Sequence, residues 1–168
     1  NVLTAIAAKY KKTPCCAWVG TDGAGHFVKT IHNGIEYADM QMIAEIYGLL
    51  RDGLGMGARE IGAIFDRWNE GRLNSFLIEI TGKVLATGDA KTGKPLVDVI
   101  VDRAGQKGTG KWSVIEAQTM GVPALSIEAA VAARSLSSMK AERERAEAIY
   151  RIAPSKLAIS DRNAFIGE

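Results

Sequence analysis

Apolar positions along the 168-residue chain recur mostly at three- and four-residue intervals, the spacing of helices with one covered face. Val2, Leu3, Ile6, Ala7 and Tyr10 predict a short helix over 2–11 that ends in lysines and stops before Pro14. Cys15-Cys16-Ala17-Trp18-Val19 is a continuous apolar run and predicts a short buried strand. A glycine-rich turn follows over 20–25, where Thr21 or Asp22 is placed to cap the next helix. From His26 to about Asp52 there is no proline and only two glycines, which allows a helix of roughly 40 Å, closed by Gly53 and Gly55. Ile61, Ile64, Phe65 and Trp68 mark a second amphipathic helix ending at Gly71. Asn74 or Ser75 caps a third, with Phe76, Leu77, Ile80 and Val84 inward. Leu96 to Val101 is a β-like run that leads into a glycine loop over 105–110 and then a helix to Gly121-Val122-Pro123. Ala124 to Ile152, alanine-rich and then strongly charged, predicts two more helices. The fold class is mainly α, without an internal repeat.

Hydrophobic residues make up 47% of the chain and charged residues 24%, so a packed core is within reach and disorder is not expected. Lys and Arg number 21 against 19 Asp and Glu, which gives no reason to expect a nucleic-acid or anionic-membrane partner. No run approaches the roughly 18 apolar residues of a membrane span, and no signal-peptide pattern opens the chain. Cys15 and Cys16 are adjacent and cannot staple a fold, so they are expected as packing residues in a reducing, cytoplasmic setting. The chain starts at Asn1 rather than Met and stops just after a Ser160–Asn163 turn signal, and is expected to be a piece of a longer enzyme.

Three glycine clusters bear on chemistry. Gly105-Gln106-Lys107-Gly108-Thr109-Gly110-Lys111 matches seven positions of a phosphate-cradling P-loop, but the eighth, which should be Ser or Thr to bind Mg²⁺, is Trp112. Gly88 to Lys94 is a second near-match and runs into Pro95. Gly23-Ala24-Gly25 begins a dinucleotide fingerprint whose third glycine position is Val28. Each also reads as a turn or helix cap. The loop over 105–110, dense in Lys, Thr and backbone N–H groups, stands equally well as an anion site.

At about 100° per residue, Lys29, His32, Asn33, Glu36 and Tyr37 share one arc of about 140° on the long helix. Phe27, Val28, Ile31, Ile35 and Ala38 lie on the opposite side. A solvated face favours Lys and Glu, whereas this set adds His, Asn and Tyr. Lys29 and Glu36 sit about 10 Å apart along the axis, a spacing that lets an acid–base pair bracket a substrate of several carbons. His26 and His32 have no ligand-spaced partner, so no metal site is expected. Glu142-Arg143-Glu144-Arg145 reads as a solvated face with pairs within its own helix.

Gly23-Ala24-Gly25-His26-Phe27-Val28-Lys29, running into His32-Asn33-Gly34-Ile35-Glu36-Tyr37, resembles the 6-phosphogluconate dehydrogenase family. Asp102-Arg103-Ala104-Gly105-Gln106-Lys107-Gly108-Thr109-Gly110-Lys111-Trp112 is similar to that family's signature segment, and Ala133–Ser138 continues the match. Ala38 stands where many members have Gly. The resemblance implies oxidative decarboxylation of 6-phosphogluconate to ribulose 5-phosphate and CO₂ with NADP⁺, the pentose phosphate reaction, in a homodimer. It implies Lys29 as base at the C3 hydroxyl and Glu36 as the acid that protonates C1 of the enediol. A lysine is a base only when neutral, a demand that burial or nearby cations meet. His32 and Asn33 would hold the sugar acid, with Asn33 also in reach of the nicotinamide. Tyr37, Lys107, Thr109 and Arg134 would hold the phosphate. The implied fold is a helical, truncated C-terminal domain over 26–168. Residues 1–25 would be the last helix and strand of a Rossmann-type coenzyme domain, with the main NADP site outside the fragment. The competing readings are a P-loop nucleotide-binding protein using 105–111 and a non-catalytic helical module.

Overall fold

The computed structural model describes residues 2–167. A short helix α1 (Val2–Ile6) leads into a small hairpin, β1 (Lys9–Tyr10) paired antiparallel with β2 (Thr13–Pro14). Then comes the long helix α2 (Ala24–Gly48), which continues without a break into a π-helical turn over Leu49–Gly53. The remaining helices are α3 (Ala58–Asn69), α4 (Phe76–Ala86), the one-turn α5 (Leu96–Val99), α6 (Thr109–Met120), α7 (Leu125–Ser138), α8 (Lys140–Tyr150) and α9 (Arg162–Ile166). The mainly helical fold is as the apolar spacing predicts.

The main core gathers where α2 ends. Leu50, Leu54, Met56, Ile61, Ile64, Phe65 and Leu85 are buried together, and Trp68 meets Phe65 edge-on at 5.3 Å. Helices α3 and α4 pack closely because Gly62 faces Gly82: a Cβ at 62 would lie 3.2 Å from the Gly82 carbonyl oxygen. The chain returns over the π-turn, where Leu157 donates its N–H to the Gly53 oxygen (2.9 Å) and fills the space a Gly53 side chain would need. A second, smaller cluster of Tyr37, Ala38 and Ala130 joins α2 to α7.

Several local expectations are corrected. The first helix covers only Val2–Ile6, because the chain turns into the hairpin at Lys9. Residues 15–19 form no strand; a strand needs a neighbour to pair with, and Trp18 is 82% exposed. Cys15 and Cys16 are exposed free thiols rather than packing residues. Leu96–Val99 is a turn of helix, not a strand, because Pro95 (φ −53°) is preset for a helix start. The cap of α2 is Gly23, without a side-chain hydrogen bond from Thr21 or Asp22. Ser75, not Asn74, caps α4, its Oγ accepting from the Ile78 N–H at 3.3 Å. The inward face of α4 is Ile78, Gly82 and Leu85; Phe76 and Val84 lie outside it and are exposed.

Candidate active site

The site is built where α2 crosses α6. Close approach is what the sequence supplies there: Gly110, Ser113 and Ala117 recur at helical spacing and are all buried. Gly34 on α2 faces Ser113 so tightly that a Cβ at 34 would lie 2.5 Å from the serine Oγ. One turn further along α2, the Tyr37 ring lies against Gly110, where a Cβ would come within 2.9 Å of it. Ser113 Oγ lies 2.8 Å from the Thr30 carbonyl oxygen and 3.0 Å from that of Thr109, so its single proton serves one at a time. This buried hydroxyl ties the two helices at the level of Lys29 and Thr109.

The predicted acid–base residues come together on α2. Lys29 Nζ lies 3.1 Å from His32 Nδ1 and 3.9 Å from Glu36 Oε2, and His32 Nδ1 lies 3.5 Å from that same oxygen. The expected 10 Å bracket is therefore closed: flexible side chains lean together along the helix face. The Lys29 and Glu36 side chains are 63% and 42% exposed, so the pair is open to an incoming ligand. Asn33 is half-buried beside them, and its carboxamide has no partner among the described residues. A primary amine, an imidazole and a carboxylate in mutual reach can accept, relay and return a proton.

Of the predicted phosphate residues, the structure brings Tyr37 and Arg134 into contact, with Lys107 and Thr109 on the loop and helix start that follow Gly105. The Arg134 guanidinium stacks on the Tyr37 ring at 4.6 Å and donates from Nη1 to the Gly105 oxygen at 3.0 Å. Thr109 begins α6, half-buried, directly after Gly108, whose left-handed backbone (φ 115°) turns the loop into the helix. Lys107 is exposed on the loop itself. The strand a P-loop requires before this turn is absent among the described residues, since 96–99 is helical.

The loop is fastened to α7 and α8 by contacts between residues far apart in sequence. Ala104 N–H donates to Ser137 Oγ (3.0 Å), and Gln106 Nε2 to Ser135 Oγ (3.1 Å). Arg143 leaves its expected solvated row and bonds Asp102 Oδ2 at 2.8 Å and the Asp102 oxygen at 2.7 Å. That hydrogen bond from the Arg143 guanidinium holds the Asp102 carboxyl below the usual carboxylate range.

The buried stripe of α2 runs through Gly34, Tyr37 and Ala38, between the two arcs read from the sequence. Phe27, Val28 and Ile35 are exposed. A groove of about 390 Å³ between α2, α3 and α4 is lined by Met42, Ile46, Phe65 and Trp68 among others, and by none of the predicted site residues. Among the described residues no helix is long and apolar enough to cross a membrane, and no group of three or more His, Cys, Asp or Glu is placed to hold a metal ion.

Residues 25–168 match the family described as 6-phosphogluconate dehydrogenase, C-terminal domain. The decarboxylating 6-phosphogluconate dehydrogenase of Bacillus licheniformis is 50% identical over 165 residues, 98% of this chain and 35% of that protein. The NADP(+)-dependent decarboxylating enzyme of Bacillus subtilis is 52% identical over 148 residues, 88% of this chain and 32% of that protein. The solved Plasmodium falciparum 6-phosphogluconate dehydrogenase, described in apo form and in complex with NADP+ and with 6-phosphogluconate, superposes with a TM-score of 0.89 at 39% identity. That match covers 97% of this chain and 35% of the solved one. The chain thus spans about a third of the length of these relatives.

Proposed function

Because the chain belongs to the 6-phosphogluconate dehydrogenase family, we propose that it carries the proton-transfer and phosphate-binding side of that family's reaction. The reaction is the NADP-dependent oxidative decarboxylation of 6-phosphogluconate to ribulose 5-phosphate and CO₂. One observation carries this reading: the Lys29–His32–Glu36 group and the Tyr37–Arg134 pair adjoin on α2, Tyr37 following Glu36 directly, with Lys29 about two turns away. A six-carbon acid phosphorylated at one end is a rod with its reacting carbons away from its phosphate. The group and the pair so arranged suit the two ends.

In the proposed sequence Arg134, Thr109, Lys107 and Tyr37 hold the phosphate. Arg134 supplies charge and a planar fork, and Tyr37 stiffens it by stacking. His32 and Asn33 orient the sugar acid. Lys29 takes the C3 hydroxyl proton as C3 is oxidised, and the protonated amine then faces the new C3 carbonyl. It stabilises the charge that grows on that oxygen while the C1 carboxylate leaves as CO₂. Glu36 donates a proton to the carbon that bore the carboxylate, which becomes C1 of ribulose 5-phosphate. The unpaired carboxamide of Asn33 fits the nicotinamide end of NADP. When bound, the coenzyme supplies the hydride acceptor.

Residues 1–25 are assigned, in the same proposal, to the end of a coenzyme domain, and the helical remainder to the substrate domain. The exposed Phe27, Val28 and Ile35 stripe supports assembly as a homodimer. The free thiols of Cys15 and Cys16 suit a reducing, cytoplasmic location. The test is NADPH formation from 6-phosphogluconate by the complete protein. Lys29→Met and Glu36→Gln should each lower turnover by about 10²–10⁴-fold. Near-normal turnover in either variant removes that residue from its role.

A further inference from the structure

Arg143 stands outside every role described so far, yet its side chain makes three hydrogen bonds beside the loop. From α8 its Nη1 reaches the Asp102 carboxylate at 2.8 Å, and its Nη2 donates to the Asp102 oxygen at 2.7 Å and the Ser137 oxygen at 3.1 Å. One guanidinium thus joins the last residue of α7 but one to Asp102, three residues before the glycine loop. The pair spans 41 residues of sequence, and the Arg143 side chain is only 27% exposed. Its Nε is buried without an acceptor among the described residues. A buried donor left unpaired is costly, so a purely structural tie would favour a better-satisfied residue.

The tie lies at one end of a row. Residues 102, 104, 105 and 106 are fastened in turn by Arg143, Ser137, Arg134 and Ser135. Lys107 and Thr109 follow immediately. Arg134 holds the loop at Gly105 and stacks on Tyr37, whereas Arg143 ties Asp102 to Ser137. It is also the one fastener that grips side chain and backbone of the same residue, which fixes the direction in which the loop leaves Asp102.

We propose that Arg143, acting through Asp102, is a positioning residue for the phosphate-binding loop. It sets where Lys107 and Thr109 stand relative to Arg134 and touches no substrate atom itself. This rests on the assignment of the loop to the substrate phosphate. Its signature is selective: phosphate affinity depends on Arg143, and proton transfer at Lys29 and Glu36 does not.

The experiment compares kcat and KM of the complete enzyme with 6-phosphogluconate and with unphosphorylated gluconate. Arg143→Met should raise KM for 6-phosphogluconate about tenfold, equivalent to about 1.4 kcal/mol. It should leave kcat within about twofold and kcat/KM for gluconate at the wild-type value. Arg143→Lys, which keeps one donor and the charge, should recover part of the loss. Asp102→Asn changes a largely exposed carboxylate with little risk to folding, and should shift KM in the same direction by a smaller factor. The Met and Asn changes together should cost no more than Arg143→Met alone. Unchanged KM in both single variants, or an equal loss with gluconate, overturns the positioning role. A wild-type enzyme that uses gluconate as well as 6-phosphogluconate instead overturns the phosphate assignment beneath it.

Discussion

Around Phe65 the helices meet through large apolar side chains, whereas around Ser113 they meet through residues with almost no side chain. Phe65 and Ile61 are fully buried, with Leu50, Ile64 and Leu85 packed about them. Each contributes about 1.5–3 kcal/mol of burial, and that region carries stability. At the α2–α6 crossing the buried residues are Gly34, Gly110, Ser113 and Ala117, with the Tyr37 ring as the one large side chain against them. Apart from the Tyr37 ring, little apolar area is removed from water there. What is gained is distance: the backbones come close enough for Tyr37 to lie on Gly110 and for the loop to reach Arg134. One region stores free energy and the other stores geometry.

That contrast breaks if substitutions in the two regions act alike. Phe65→Ala should cost about 3–5 kcal/mol in urea unfolding of the complete protein, with KM for 6-phosphogluconate unchanged at temperatures where it stays folded. Gly34→Val should cost about 1–3 kcal/mol through overpacking against Ser113. It should also raise KM, because α6 and its loop must move away. Ser113→Ala removes one buried hydrogen bond and should cost about 1 kcal/mol, again with a KM effect that Phe65→Ala lacks. Lys83→Ala, which opens an exposed ion pair with Glu79 one turn away on α4, should change stability by no more than about 0.5 kcal/mol and leave KM untouched.

The same contrast governs how far the fold was legible in the sequence. Apolar spacing exposed α3, while α2 and α6 showed as proline-free stretches between glycine and proline breakers. It could not say which face of α2 is covered within this chain. Phe27, Val28 and Ile35 look inward by composition and lie outside, while the stripe through Gly34 and Tyr37 is covered. The runs at 15–19 and 96–101 misled for a related reason. Apolar residues mark burial or pairing, and neither is decided locally. On the site, Lys29, His32 and Glu36 were legible because one helix turn after another places them together. Arg143 was not, since its partner Asp102 lies 41 positions away on an irregular segment.

In the proposed mechanism Lys29 handles the proton, and Arg134, stacked on Tyr37, holds the phosphate. Calorimetric binding of 6-phosphogluconate to the Lys29→Met and Arg134→Met variants of the complete protein tests it most directly. Lys29→Met should bind within about threefold of wild type, and Arg134→Met should bind at least about tenfold more weakly, a difference of about 1.4 kcal/mol or more. Equal weakening in both variants, or the greater loss in Lys29→Met, would contradict it.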